Sequence, residues 1–287
     1  MQLFSIFATL CLSKSEWYTG AYPEPGRTKL GTPDFSLLVT SYIDSGASTR
    51  VYSAMQVDRI SSSIPKEFAI KCISTRIKHL QNKLGHEFMI LKTLGYVSDL
   101  HVPKAYYVSE QWSCGGSHKC QFLVMTKSGP DFSRIVSRNT LGLPKAVTHG
   151  KPGRFELFAG SVGLGVIAEL EKLHKAGAIH GDIGRYNVAN DLHEPRQVML
   201  IDFGQSKLRS DLGPNEFARR VERDYRRANA FILRLIKISL EPGGRFSDNP
   251  LFSILSRIEN NQKDLKTMLS DFILREFGER FSGSIIY

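Results

Sequence analysis

The chain has 287 residues, which is more than one ordinary domain usually holds, so its length predicts two modest domains or one unit built from two lobes. Hydrophobic residues make up 41% of the sequence and charged residues 23%, and this balance excludes a disordered or fibrous chain. The formal net charge of +10 favours anionic partners, among them nucleotides, nucleic acids and acidic protein surfaces.

The cellular compartment is indicated by two features. Four cysteines are too few for a disulfide framework, which favours a reducing compartment. Residues 3–12 form an apolar stretch as long as a signal-peptide core, but no Lys or Arg precedes it and no small-x-small cleavage site follows. The stretch is too short to span a bilayer, and no other segment has the length of a membrane span. We therefore expect a cytoplasmic or nuclear protein, with secretion as the alternative.

The first half of the chain has the pattern of a small sheet with one helix. Gly and Pro punctuate residues 20–33, which predicts an irregular lead segment over residues 1–34 rather than a buried element. A period near 3.6 predicts a helix over residues 75–94. Strands, most of them in an antiparallel meander, are predicted from β-branched and aromatic runs at residues 35–43, 50–57, 67–73, 104–108 and 121–125.

Beyond Gly129 the pattern becomes helical. Apolar residues recur at helical spacing over residues 155–175 and 216–237, and residues 238–287 are expected to add further helices. Between the two long helices, residues 178–204 have the pattern of a loop, a strand, a turn and a strand that ends in an acid. We therefore predict an α+β fold, with a sheet-based first lobe over residues 35–128 and a mainly helical second lobe over residues 129–287.

Asp182, Asn187 and Asp202 are polar residues set among apolar ones, and Asp202 directly follows Met199-Leu200-Ile201. An ionised carboxylate in such surroundings needs a partner, and a cation would satisfy it. An Asp with an Asn carbonyl supplies hard oxygen ligands but too few for a complete cage, which suits Mg²⁺ shared with phosphate oxygens. The alternative is a carboxylate that caps a turn.

Several motifs occur in a known order. Ala69-Ile70-Lys71 lies on a predicted strand, Glu87 lies on the next helix, and His180-Gly181-Asp182 precedes Asn187 and then Asp202-Phe203-Gly204. From about residue 35 to residue 237 this order resembles the eukaryotic-like protein kinase superfamily. The resemblance implies a bilobal fold and the binding of ATP and Mg²⁺ in the crevice that divides the two lobes.

The resemblance also implies a role for each motif. Asp182 would orient the acceptor hydroxyl and accept its proton, Asn187 and Asp202 would hold Mg²⁺, and Lys71 would contact the α and β phosphates. Glu87 is expected to pair with Lys71, because it lies three residues after Leu84 and four before Leu91, on the apolar stripe of its helix. An exposed surface Glu87 is the alternative.

The remaining nucleotide contacts follow from the same resemblance. Aligned on Val51, the phosphate-covering loop keeps only Gly46 of three glycines. Met125 would guard the adenine pocket, and backbone groups near Lys127 would contact adenine. The implied nucleotide-binding set is Gly46, Val51, Ala69, Lys71, Met125, Lys127, Asn187 and Asp202.

The sequence departs from typical protein kinases at several positions. Gly181 replaces the arginine that pairs with a phosphorylated activation loop, which puts that regulation in doubt, and Gly184 replaces a lysine common in serine/threonine kinases. If Asp224 is the aspartate of the family's helix F, the activation segment from Asp202 spans only 22 positions, with no Ala-Pro-Glu and no obvious peptide-docking segment. This short segment is similar to that of the KEOPS-type and RIO kinases, whereas the stretch from residue 122 to residue 135 is similar to casein kinase 1 and the vaccinia-related kinases.

The function implied by the resemblance is an ATP- and Mg²⁺-dependent phosphotransferase, in the first place a protein serine/threonine kinase. A small-molecule kinase of the same fold would explain the His-Gly-Asp motif and the missing peptide-docking segment. A pseudokinase or scaffold would explain the depleted glycine loop and Gly184.

Two further sequence patterns are weaker evidence of a functional site. Cys114, His118 and Cys120 match no common zinc spacing, which favours a mobile hairpin loop over a metal site. A row of basic residues on one predicted helix indicates either a solvated face or a surface for an acidic partner. The lack of aromatic interleaving there argues against a nucleic-acid module. This row consists of Arg219, Arg220, Arg223, Arg226, Arg227, Arg234 and Lys237.

Overall fold

The structure is a computed structural model that describes residues 22–32, 36–45, 49–57, 67–75, 82–113, 117–132, 135, 153–190, 197–239, 249–256 and 262–278. The chain divides into two compact units. The first comprises Met1–Lys92 and Pro103–Lys127, and the second Thr93–Val102 and Ser128–Tyr287. The lobe boundaries that we placed at residues 34 and 128 stay a prediction. Gly46, Cys114 and residues 3–12, which were singled out in the sequence, lie outside the described residues.

The first unit is built on an antiparallel sheet. Its strands are β1 (Lys29–Gly31), β2 (Ser36–Ser45), β3 (Thr49–Gln56), β4 (Glu67–Thr75), β5 (Ala105–Val108), β6 (Trp112–Ser113) and β7 (Lys119–Thr126). The strand order is β1-β2-β3-β4-β7-β5, with β6 paired to β7. The predicted strands are confirmed as β2, β3, β4, β5 and β7.

Alternation along these strands gives the sheet two different faces. One face carries a fully apolar cluster in which successive members are two residues apart, as expected for a pleated strand. This cluster contains Leu30, Leu37, Val39, Tyr52, Ala54, Phe68, Ile70, Cys72, Phe122 and Val124. The intervening residues, Lys71 among them, therefore point to the opposite face.

Two predictions for the first unit need correction. Leu30, on the three-residue edge strand β1, is fully buried in the apolar cluster, so the expectation of no buried element in this segment is wrong. So short a strand carries one inward residue and no readable alternation. The predicted helix is α1 (Lys83–Leu94), and Thr75 belongs to β4 rather than to the helix; residues 76–81 lie outside the described ranges.

The second unit is mainly helical, as predicted. Its helices are α2 (Arg154–Lys175), α3 (Pro214–Ser239), α4 (Pro250–Ser256) and α5 (Gln262–Phe277). Helix α2 is the centre of this unit and packs against α3 and α5. Its inward positions are filled by residues at helical spacing that are fully buried, Val162, Val166, Leu170 and Leu173. The helices expected after residue 238 are confirmed as α4 and α5.

Short strands connect the long helices. They are β8 (Ala178–Ile179), β9 (Val188–Asn190), β10 (Val198–Leu200) and β11 (Lys207–Leu208). Strand β9 pairs antiparallel with β10, and β8 pairs antiparallel with β11. The β8–β11 pairing joins the two ends of the segment that contains Asp182 and Asp202, and the β9–β10 pairing lies within it.

None of the helices that the structure describes combines the length and the apolarity needed to span a bilayer.

Candidate functional site

In the first unit, the Lys71 ammonium forms a two-pronged ion pair with Glu87. Lys71 Nζ lies 3.0 Å from Glu87 Oε1 and 2.8 Å from Oε2, and the two side chains are only 4% and 1% exposed. Strand β4 supplies the lysine on its non-cluster face, and the first turns of α1 supply the glutamate. The structure thus contains the contact predicted from helical periodicity. In an apolar setting neither charge is tolerated alone, so each residue fixes the other.

Other predicted nucleotide-binding residues share that face of the sheet. Val51 and Lys71 are register partners on β3 and β4, and Ala69 is the partner of Met125 on β7. Directly paired residues point to the same side of a sheet, so these four side chains form one patch. Lys127 follows the end of β7, and its ammonium forms a surface ion pair with Glu67 at 2.8 Å.

In the second unit, residues 180–187 form a loop that we term the HGD loop. His180 Nε2 lies 3.0 Å from the Ile201 carbonyl oxygen, and its Nδ1 lies 3.2 Å from the Asp182 backbone nitrogen. Because a carbonyl accepts and an N–H donates, Nε2 carries the proton and Nδ1 is the acceptor. Burial lowers the pKa of His180, which keeps the ring neutral at pH 7. The ring packs on Phe203 at 4.8 Å between centroids.

Asp224, on α3, anchors the start of the HGD loop. Its Oδ2 accepts the His180 N–H at 2.9 Å, and its Oδ1 accepts the Gly181 N–H at 2.9 Å. His174 Nε2 also lies 3.1 Å from Oδ2. Burial raises the pKa of Asp224, but the hydrogen bonds from the His174 side chain and the His180 backbone outweigh it and leave this pKa below its usual range. The carboxylate therefore stays charged and holds the loop backbone.

Asp182 and Asn187 lie together at the exposed side of the HGD loop. Asn187 Nδ2 donates to the Asp182 carbonyl at 2.7 Å and to Asp182 Oδ2 at 3.2 Å. The Asp182 side chain is 49% exposed, so its carboxylate keeps room for a further donor. The side-chain oxygen of Asn187, Oδ1, forms no hydrogen bond with any described residue.

Ile201 brings Asp202 to this pair. Its N–H donates to the Asn187 carbonyl at 3.0 Å, while its carbonyl accepts from His180. Asp202 follows with φ of 64°, the one non-glycine residue with positive φ in the described ranges. Its Oδ1 accepts the Gly204 N–H at 3.3 Å. A left-handed backbone is costly for a residue with a Cβ, so this turn is held by its surroundings.

Sequence reasoning missed one side chain in this group, Arg227 of α3. Its guanidinium lies 3.1 Å from Asp182 Oδ1 and also donates to the Gly181 carbonyl. Arg227 was assigned to a row of basic surface residues. The available signal was its position three residues after Asp224, which places both residues on the same side of α3.

Gly181 occupies a position where a side chain does not fit. Its φ is +79°, and a Cβ built there would lie 2.6 Å from the Gln205 carbonyl oxygen. This close approach gives a physical reason for glycine where typical protein kinases have arginine. Gly184 is different, because a Cβ there would meet only the Asp182 carbonyl oxygen, at 4.0 Å.

The donor set suits a magnesium ion that is shared with phosphate. Asp202 supplies a carboxylate, and Asn187 supplies an amide oxygen that is uncommitted within the described residues. Within the ranges that the structure describes, no group of three or more His, Cys, Asp and Glu side chains is arranged to hold a metal ion by protein ligands alone. Mg²⁺ usually keeps ligands from water or substrate phosphate, so an Asp–Asn pair is sufficient.

Comparison with known proteins gives a likeness in structure but not in sequence. No family model matches the chain, and no curated protein matches it. A solved structure of vaccinia related kinase 3 is similar with a TM-score of 0.53 and 13% identity, covering 95% of this chain and 98% of that one. The crystal structure of the BubR1 kinase domain is similar with a TM-score of 0.56 and 16% identity, covering 98% and 93%.

Proposed function

Because the chain has the α+β fold of eukaryotic-like protein kinases, as predicted, we propose that it is an ATP- and Mg²⁺-dependent phosphotransferase acting on serine or threonine hydroxyls of proteins. A shared fold does not by itself determine an activity, so the proposal depends on the site residues.

One observation carries the proposal: Asp182, Asn187 and the backbone that leads into Asp202 are joined by hydrogen bonds within one small region of the second unit. A half-exposed carboxylate thus lies next to an uncommitted amide oxygen. Phosphoryl transfer needs a positioned hydroxyl and neutralised phosphate oxygens, and this is the combination that such residues supply.

Each residue then has a role in the proposed reaction. Asp182 orients the acceptor hydroxyl and takes its proton as the hydroxyl oxygen bonds to the γ-phosphorus and the bond to the ADP oxygen breaks. Arg227 holds Asp182 in place through Oδ1. Asn187 and Asp202 would hold Mg²⁺, which would neutralise negative charge on the phosphate oxygens.

The residues of the first unit are proposed to bind the nucleotide. Lys71, fixed by Glu87, neutralises α and β phosphate oxygens. The patch formed by Val51, Ala69 and Met125 is apolar, as an adenine ring requires. We keep Gly46 and the backbone near Lys127 as proposed contacts from the family resemblance.

The decisive experiment measures transfer from γ-labelled ATP by wild type and Asp182→Asn. We expect the variant to lose at least about a hundredfold in transfer rate, because the proton acceptor and its charge are gone, and to keep ATP binding. Asp271→Asn, an exposed position on α5, is the matched control and keeps the wild-type rate. An unchanged rate in Asp182→Asn contradicts the proposal.

The same preparation distinguishes the two alternatives kept from the sequence. Label that enters small molecules but never protein would identify a small-molecule kinase. A melting temperature that does not rise with millimolar ATP and Mg²⁺ would favour a scaffold that binds partners without transfer, since a ligand that binds the native state raises its apparent stability.

A further inference from the structure

The exposed face of α3 contains a basin of arginines close to the HGD loop. Its volume is about 440 Å³, within the range of small-ligand sites. The charged residues that line this arginine basin are Glu216, Arg219, Arg220, Arg223, Arg226 and Arg227. They recur every three or four residues and therefore share one side of the helix.

The acids nearby do not compensate the charge of the basin. Arg219 and Arg220 share a single carboxylate, that of Glu216, and Arg226 pairs with Glu222. Arg223 is exposed, and its side chain forms no ion pair or hydrogen bond with any described residue. An ordinary solvated helix face carries acids and bases in balance, whereas here positive charge remains after every pair has formed.

Arg227 connects the basin to the proposed acceptor site. It lines the basin and at the same time lies 3.1 Å from Asp182 Oδ1. An anion in the basin would therefore lie near a hydroxyl that Asp182 orients. Arg223 is one helical turn further away and Arg219 and Arg220 about two, or roughly 5 and 11 Å along the axis.

We infer that the arginine basin binds an acidic residue or a phosphorylated residue of the acceptor peptide. This inference rests on the proposed function and names the substrate class for the same site. An extended peptide advances about 3.3 Å per residue, so the basin would hold an anionic side chain roughly two to four residues from the acceptor. Guanidinium groups bind carboxylate and phosphate through paired N–H donors, and phosphate carries more charge.

A peptide suits the basin better than a nucleic acid does. Its lining contains no aromatic side chain among the described residues, and aromatic rings are the usual platforms on which successive bases of a single strand stack. Its connection to Asp182 also places it beside the acceptor rather than on a remote surface.

The test uses the full chain and serine peptides with glutamate, phosphoserine or glutamine placed two, three or four residues to either side of the acceptor. At one or more spacings, we expect kcat/KM to be at least about tenfold higher for an anionic peptide than for the glutamine peptide. This ratio should decrease at high salt, because salt screens the attraction between the anion and the arginines. Arg223→Glu should bring this ratio close to one. Arg234→Glu, on the same helix outside the basin, should keep it.

Each outcome has a distinct meaning. If kcat/KM is much higher for the phosphoserine peptides than for the glutamate peptides, and Arg223→Glu removes the difference, the basin recognises an already phosphorylated peptide. If both kinds of peptide have the same kcat/KM, and Arg223→Glu lowers both to the level of the glutamine peptide, the basin recognises acidic sequence. Transfer without any anion preference, or a preference that survives Arg223→Glu, overturns the basin inference and leaves the proposed function intact. Binding of an oligonucleotide but of no anionic peptide also overturns it. No transfer to any serine peptide by wild type contradicts the proposed function instead.

Discussion

His174 Nε2 and the backbone N–H of His180 both approach the same oxygen of Asp224, at 3.1 and 2.9 Å. The Asp224 carboxylate thereby joins the end of α2, the start of the HGD loop and helix α3. Because Asp224 is fully buried, no water can replace it as the acceptor of these donors.

Asp224→Asn should therefore lower the free energy of unfolding by about 3 kcal/mol, because the new NH₂ group faces donors and leaves them unsatisfied. Urea unfolding of wild type and variant measures the difference. Asp271→Asn, which changes an exposed carboxylate in the same way, should leave stability unchanged. Equal loss in both variants would show that Asp224 does not anchor the loop.

Stability should depend on pH through His180. Because burial lowers the pKa of His180 in the folded chain, the unfolded chain binds more protons once the pH falls below about 6.5. The free energy of unfolding therefore falls as the pH decreases from 6.5, until the folded-state pKa is reached. His180→Gln keeps a donor and an acceptor but does not titrate, so its free energy of unfolding should fall less steeply with decreasing pH. The slopes of variant and wild type should differ by up to about 1.4 kcal/mol per pH unit. Parallel curves between pH 7 and 5 would contradict this assignment.

The Lys71–Glu87 pair predicts strong coupling in stability. Lys71→Met should cost about 3–5 kcal/mol, since it leaves a buried carboxylate without its ammonium partner. Lys71→Met combined with Glu87→Leu removes both charges and should recover most of that loss. A double-mutant cycle by urea unfolding measures the coupling energy. Simple additivity of the two changes would contradict a paired role.

The two glycines of the HGD loop should respond differently to alanine. Gly181→Ala is expected to cost about 1–3 kcal/mol, because its positive φ and the nearby Gln205 carbonyl leave no place for a methyl group. Gly184→Ala, only three residues away, has space and should be neutral or slightly stabilising. Thermal unfolding of the two variants provides a matched comparison, and equal melting temperatures would contradict it.

Periodic patterns predicted much of this molecule, whereas conformations set by long-range contacts were not predictable. The inward position of Glu87 followed from the leucines on its own helix, and the two long helices α2 and α3 followed from their apolar spacing. Strand β1 escaped notice because it is only three residues long. The position of Arg227 against Asp182 depends on how α3 packs beside the HGD loop, which no local pattern records.

The positive φ of Asp202 has the same origin. The neighbouring residues mark Asp202 as a functional candidate, but nothing in them predicts a left-handed backbone there. Its backbone is set by Ile201, which bonds to both His180 and Asn187 from a distant part of the chain.

The location of Lys71 on one face of β4 also bears on how the sheet avoids assembling incorrectly. If β4 slipped by one residue against β3 and β7, the ammonium would turn into the apolar cluster, and Glu87 would lose its counter-ion. A misaligned sheet would then contain two charges, each without an ion-pair partner. The Lys71–Glu87 ion pair therefore disfavours misregistered strands during folding, independently of its effect on the stability of the folded protein.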